Sequence, residues 1–196
     1  MKIILASASP RRKELMSLIT PDFTIETADI DERELEEKLS GTDAQKVSEY
    51  LALAKARCVF DRHKDEDVAV IGCDTSVILD GVIMGKPDGR EDAVRMLTAL
   101  SGRTHIVATG VSVVTKDQTV SFTDSSEVIF NPLDDHQAEL IRRYCDTSDP
   151  YDKAGAYGIQ NGGALLVQGI RGDFFSVVGL PVSRLARVIS VVFDIP

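Results

Sequence analysis

The chain has 196 residues, 43% of them hydrophobic and 27% charged, which is enough apolar material for a buried core and too ordinary a composition for disorder. A formal net charge of −9 excludes a broad cationic surface for duplex DNA or an anionic membrane, so any polyanion has to be met by locally clustered cations. The three cysteines, Cys58, Cys73 and Cys145, form no C-x-x-C pair and suggest neither a disulfide framework nor a zinc site, which fits a reducing cytoplasm. The opening apolar run covers only residues 3–6, too short for a secretion signal, and nowhere do about 18 apolar residues follow one another.

In chain order, Lys2–Ala6 reads as a short buried strand. Residues 10–19 read as a helix with Ser9 at the N-cap, Pro10 at the first helical position and an apolar stripe of Leu15, Met16, Leu18 and Ile19. Residues 24–28 alternate as a strand, and 29–41 are strongly charged. Thr42 with Gln45 forms a capping box for a helix reaching about Asp61, burying Val47, Leu51, Ala54 and Cys58. Residues 68–72 form an apolar strand ending in Cys73-Asp74-Thr75, and 76–84 read as two arms around an Asp80-Gly81 hairpin turn. Asp88 and Glu91 suggest a second capping box for a helix ending near Leu100, with Gly102 as its stop. Thr104–Val114 and Thr119–Phe130 read as strands, and 134–145 as a helix. Residues 149–163 form a polar loop with glycines, and 164–170 and Phe174–Val178 the arms of a hairpin. Pro181 opens a last helix carrying Val182, Leu185, Val188, Ile189 and Val192. This interleaving predicts an α/β domain with a mixed sheet.

Four constellations can carry chemistry. In Ser7-Ala8-Ser9-Pro10-Arg11-Arg12, two arginines face the positive end of a helix macrodipole, which disfavours each by about 0.3–1 kcal/mol unless something offsets it. A phosphate would be bound there by backbone N–H groups, serine hydroxyls and guanidinium forks; a solvated basic turn paired with surface carboxylates is the competing reading. Asp74 closes an apolar run, where a carboxylate is costly unless paired, hydrogen-bonded or on a metal. A turn aspartate capping its neighbours is the alternative. Uninterrupted hairpin register would pair Thr75 with Lys86 and bring Lys86 within a residue of Asp74. The acidic run Asp29-Ile30-Asp31-Glu32, with Lys55 further on, offers the oxygen ligands that Mg²⁺ or Mn²⁺ takes, but taken alone such a run is more often a solvated acidic turn. In 152–160, glycines permit close backbone approach to a ligand, and Gln160 supplies a paired donor and acceptor. His63, His105 and His136 sit in unrelated contexts and read as surface or core residues.

Together, LASASPRRKEL, DIDE, LALAKA, GCDTSVILDGVIMGKP, LSGRTH, DKAGAYGIQ and VVGLP, in that order from Leu5 to Pro181, closely resemble the Maf family of nucleotide pyrophosphatases. The resemblance implies a single domain over 1–196 with two lobes. Its fold would be an elongated mixed β-sheet with flanking helices and a central cleft, as in inosine triphosphate pyrophosphatases. It also implies a divalent metal cation, a homodimer and a cytoplasmic enzyme acting on a nucleoside triphosphate. Carried over residue by residue, Asp74 matches the catalytic acid, Asp74 and Glu32 the metal-binding carboxylates, and Ser7, Arg11, Arg12, Lys55 and Lys86 the substrate-binding set. Arg12, Thr75 and Gln160 match the specificity residues of the dTTP/UTP branch; the branch acting on 7-methyl-GTP resembles Trp, Gln and Glu at those places. A glutamine amide matches the adjacent N–H and carbonyl of a pyrimidine imide, whereas guanine's paired N–H donors suit a carboxylate. The rival function in another class is a nucleotide-binding regulator of cell division with incidental catalysis. A nucleic-acid-binding module is disfavoured by the charge and by the lack of a basic stripe with interleaved aromatics.

Overall fold

The computed structural model describes residues 1–193. A seven-stranded mixed sheet is flanked by helices. Its strands are β1 (Lys2–Ala6), β2 (Thr24–Ile25), β3 (Val68–Leu79), β4 (Val82–Met84), β5 (Thr104–Val114), β6 (Thr119–Phe130) and β7 (Val167–Arg171), ordered β2-β1-β3-β5-β6-β7 with β4 on β3. The helices are α1 (Pro10–Met16), α2 (Glu32–Lys38), α3 (Ala44–Phe60), α4 (Arg90–Leu100), α5 (Asp135–Cys145), α6 (Phe174–Val178) and α7 (Val182–Phe193). Two compact units share the chain, which passes between them inside β3, β5 and β6 and again after Val178.

The first unit holds Met1–Thr75, Thr109–Asp124 and the chain from Gly179. Here β1 runs parallel to both β2 and β3, and its residues Ile3 to Ala6 are buried, as a parallel strand covered on both faces requires. β2 stops at Ile25 rather than continuing to Ala28, because β1 ends at Ala6 and offers no further partner. α1 ends at Met16, three residues short of the expected stop, where the Ser17 hydroxyl donates to the Lys13 carbonyl. A helix that charge had hidden, α2, is capped by the Asp31 side chain accepting from Glu34 N–H at 3.0 Å. The cap of α3 is Asp43, not Thr42, and its buried stripe of Val47, Leu51, Ala52, Lys55, Ala56 and Val59 leaves the expected Ala54 and Cys58 half-buried. α3 lies with its backbone directly on two glycines. A methyl at Gly72 of β3 would overlap the Ala52 carbonyl oxygen and stand 2.8 Å from Ala56 N, and one at Gly110 of β5 would overlap Ser48 and Glu49.

The second unit, Ser76–Ala108 with Ser125–Val178, packs α4, α5 and the turns of 149–166 around Phe130, Leu97, Leu100, Ile141 and Leu166. The Asp80-Gly81 turn has positive φ at both residues and the register Leu79↔Val82 of a two-residue type I′ hairpin, as expected. Pairing ends at Val77↔Met84, so the ladder does not extend to Lys86. α4 is preceded by Gly89 with no side-chain cap; Asp88 instead donates its N–H to Asp92. β5, β6 and α5 stand where the sequence placed them, with Asp134 capping Gln137 N–H at 2.8 Å. The expected hairpin after residue 164 is absent: β7 pairs antiparallel with β6, and Phe174–Val178 is helical. Asp173 accepts from Phe175 N–H at 3.0 Å while its own N–H is bound by Ser126, which starts a helix where the apolar run suggested a strand. Pro181 opens α7 as expected; the Val192 side chain lies outside the described part.

Gly72→Ala and Gly110→Ala are each expected to cost about 3 kcal/mol or more, since backbone rather than a flexible side chain blocks the methyl. Gly169→Ala, with nothing within 4 Å, should change stability by less than about 1 kcal/mol. Urea unfolding midpoints of the three variants check this contrast.

Candidate active site

Lys55 stands on the buried stripe of α3, and the glycine contacts beneath that helix bring it close to β3. Its Nζ donates to Asp74 Oδ1 at 2.6 Å and to Glu32 Oε2 at 2.9 Å. The Lys55 and Asp74 side chains are only 10% and 13% exposed, while Glu32, the first residue of α2, is 49% exposed. Asp74 is not at a strand end as expected. β3 runs on to Leu79, and the lysine provides the pairing that lets a carboxylate sit in mid-strand. Next to it, burial pushes the Cys73 thiol up to about 11, so that sulfur stays protonated at neutral pH.

Arg12 ties three segments together. Its Nε donates to the Gly179 carbonyl at 2.9 Å, Nη1 to the Cys73 carbonyl at 2.8 Å and to Ser7 Oγ at 3.4 Å, and Nη2 to Thr75 Oγ1 at 3.0 Å. These bonds engage four of its five N–H donors. Thr75 Oγ1 is in turn 2.9 Å from the hydroxyl of fully buried Thr109. Ser7 is buried at the end of β1 and accepts from Ser9 N–H, while Arg11 is half-buried in the first turn of α1. Ser7, Arg12 and Thr75 form one hydrogen-bonded set and Asp74, Lys55 and Glu32 another, the two meeting within the first unit where Thr75 follows Asp74 in β3. Sequence reasoning missed Thr109, Gly179 and the Cys73 carbonyl. None carries a local signal, because two act through backbone oxygens and the third is one hydroxyl in an apolar strand.

Lys86 and Gln160 belong to the second unit and are exposed. The peptide before Lys86 is fixed by Gly155 N–H donating to the Gly85 carbonyl at 3.0 Å. The loop leading to Gln160 is held from inside. Buried Lys153 donates to Asp149 Oδ1 at 3.0 Å and Asp152 Oδ1 at 2.6 Å, and Tyr144 bridges Asp149 and Gly158 N–H. Two glycines here make room for the protein's own side chains: a methyl at Gly155 would stand 2.8 Å from Val77, and one at Gly158 2.7 Å from the Lys153 stem. His105, expected on the surface or in the core, is buried with Nε2 2.7 Å from the Tyr157 hydroxyl and its ring edge-on to Phe130 and Tyr157.

Among the described residues no three His, Cys, Asp or Glu side chains cluster as a metal cage. The donor set is the Asp74 and Glu32 carboxylates, of which Lys55 takes one oxygen each. That set fits a hard cation completing its shell with water and a ligand's oxygens, as Mg²⁺ does, and not a closed zinc site.

Fold and site together define an α/β protein in which a buried lysine bridges a carboxylate on a central strand and one at the start of an exposed helix. A family model described as Maf-like protein matches residues 2–192, and the chain belongs to the Maf family. It is 47% identical over 188 residues to the dTTP/UTP pyrophosphatase of Bacillus velezensis, covering 96% of this chain and 95% of that one. It is 44% identical over 185 residues to the dTTP/UTP pyrophosphatase of Thermotoga maritima (94% and 86% covered) and 44% over 186 residues to that of Bacillus cereus (95% and 93%).

Burial pushes His105 down to about 4, against roughly 6.5 for a free histidine. A base whose folded pKa is depressed contributes stability that is present above pH ~6.5 and lost as the pH falls from there toward 4. Between pH 7.5 and 5 the melting temperature of the wild type should fall more steeply than that of His105→Gln, which keeps a donor for Tyr157 and does not titrate.

Proposed function

We propose that the protein is a nucleoside triphosphate pyrophosphatase acting on dTTP and UTP as one Maf-type domain over 1–196, releasing the nucleoside monophosphate and pyrophosphate. The observation that carries this reading is the buried Lys55 bridging Asp74 and Glu32 in a chain nearly half identical to relatives so named. Products of that kind require water to attack the α-phosphorus while the bond from the α-phosphorus to the oxygen of the leaving pyrophosphate breaks. Asp74 orients that water and takes its proton, a task suited to a carboxylate held at a fixed place in a strand. A divalent cation, Mg²⁺ or Mn²⁺, held by Asp74 and Glu32 would neutralise phosphate charge. Ser7 and Arg11 at the start of α1 contact phosphate oxygens, and Lys55 and Lys86 offset the charge that develops as pyrophosphate departs.

Specificity falls to Arg12, Thr75 and Gln160. Arg12 and Thr75 are hydrogen-bonded to one another, and Gln160 is exposed at the end of a loop braced by Lys153 and Tyr144. In this reading Gln160 matches the imide edge of uracil or thymine. The enzyme works as a homodimer in the cytoplasm; among the described residues no helix is long and apolar enough to cross a membrane.

Asp74→Asn should lower pyrophosphate release from UTP by at least about 10²-fold while leaving nucleotide binding within a few-fold of wild type; a malachite-green assay coupled to inorganic pyrophosphatase reads it, and retained turnover would remove the role given to Asp74. Gln160→Glu should move preference away from UTP toward GTP, because a carboxylate cannot donate to the uracil carbonyl but can accept from guanine's paired N–H groups. The ratio of kcat/KM for the two nucleotides measures it.

A further inference from the structure

Asp74 and Glu32 are held in unlike ways. Asp74 is fixed by the strand that carries it, whereas Glu32 opens α2, a helix that touches α3 but buries no residue, so packing of its own helix holds it only weakly. The segment before it, residues 26–31, is held by Cys58 of α3 and by Arg62 in the turn that follows the helix. Cys58 Sγ lies 3.7 Å from the Asp29 carbonyl, Arg62 Nη1 donates to the Thr27 carbonyl at 3.0 Å, and Arg62 Nη2 reaches Cys58 Sγ at 3.7 Å. Just past the helix end, His63 Nε2 is 2.8 Å from Glu26 Oε1 and its Nδ1 2.7 Å from Glu66 Oε1. Lys55 and Cys58 fall at i and i+3 on one stripe of α3, and Arg62 follows in the turn past its end. The helix that presents Lys55 to Glu32 and the turn after it thus also strap down the chain leading to Glu32.

We infer that Arg62 and His63 are positioning residues for Glu32, acting through residues 26–31, and that they set the affinity of the Asp74–Glu32 pair for a divalent cation. The inference rests on the proposed assignment of a cation to that pair. An imidazole bonded to ionised carboxylates at both nitrogens has to donate from both, so the strap is complete only with His63 protonated. The bond to Glu26 first, and that to Glu66 second, raise the His63 pKa. Arg62 and Lys64 flank His63 in the chain, Asp65 follows, and the charge of Lys2 acts on Glu66. A raised pKa means the strap is intact below the ordinary histidine value and lost as pH rises through the raised one.

The test uses the full chain and Mn²⁺ alone, with binding read from loss of the free-ion signal in electron paramagnetic resonance. Arg62→Met and Glu26→Gln should each weaken Mn²⁺ binding about tenfold, the low end for groups that orient a ligand from behind. Melting temperatures should stay near wild type, because both residues lie toward the surface, and Arg62→Lys, which keeps a donor for the Thr27 carbonyl, should recover most of the affinity. In proton NMR the His63 Cε1–H should titrate at lower pH in Glu26→Gln than in the wild type. Unchanged Mn²⁺ affinity in both variants, or affinity lost only in step with melting temperature, overturns the inference. A wild type that binds Mn²⁺ in this strap-dependent way yet releases no pyrophosphate from any nucleotide overturns the proposed function and leaves the strap standing. No Mn²⁺ binding to the wild type overturns the strap's role.

Discussion

The charged centre depends on one ammonium group. Lys55 is about nine-tenths buried and bonded to two carboxylates, one of them equally withdrawn from water. Removing Lys55 would leave the Asp74 carboxylate buried without its partner, a change that costs about 3–5 kcal/mol, whereas Lys55 keeps Glu32 when Asp74 is neutralised. Their meeting is set by backbone packing. Gly72, two residues before Asp74, and Gly110 on the neighbouring strand let the α3 backbone lie against β3 and β5 closely enough for the lysine to reach. A side chain at either position would lift the helix, and the ion pair would open. Two absent side chains thus govern an electrostatic contact between two present ones.

The same lysine joins carboxylates of different mobility. Asp74 moves only if β3 moves, and β3 is paired with β1 through five consecutive register positions up to Gly72. Glu32 sits on an exposed helix whose cap, Asp31, and whose i,i+4 pair, Glu34 with Lys38, are both local. Local contacts of that kind are each worth a few tenths of a kcal/mol to about 1 kcal/mol, which orders a helix turn but does not anchor it to the rest of the protein. Anchoring beyond these comes from the contact of α2 with α3, from Lys55 on that helix and from the Arg62 and His63 bonds to the segment before Glu32. In the proposed function, a fixed carboxylate beside an adjustable one suits an ion that exchanges waters for substrate oxygens.

How much of this was legible in the sequence follows from which forces are local. β1, β5, β6 and α5 are set by alternation, burial and a single cap, and their residues announce them. The elements that differ are those where a partner or a short-range bond overrode the pattern. β2 is as long as its neighbour permits, α6 follows the Asp173 cap, and β3 carries an aspartate that composition disfavours in a strand but that Lys55 neutralises. α2 was readable in principle, since Asp31 with Glu34 has the spacing of a capping box, but the surrounding charge obscured it. In the site, the residue types were visible and the bonds between them were not. The glycines of 155–158, which resemble a ligand cradle by composition, make room for Val77 and Lys153.

Arg12 shows why the electrostatic inference from the N-terminal motif needed a structure to complete it. Two arginines at the positive end of a helix imply something electron-rich opposite them. For Arg12 that something is internal: the carbonyls of Cys73 and Gly179 and the hydroxyls of Ser7 and Thr75. Neutral oxygen dipoles satisfy the guanidinium without cancelling its charge, so the positive potential stays while the side chain loses its freedom to swing. In a chain of net charge −9, many other cations lie in surface pairs such as Lys38–Glu34, Arg95–Asp92 and Arg142–Glu139, where a carboxylate neutralises each. Screening over about 8 Å at physiological salt removes most of the distant negative field. At the start of α1 the charge of Arg12 is therefore held on neutral acceptors rather than paired with a carboxylate.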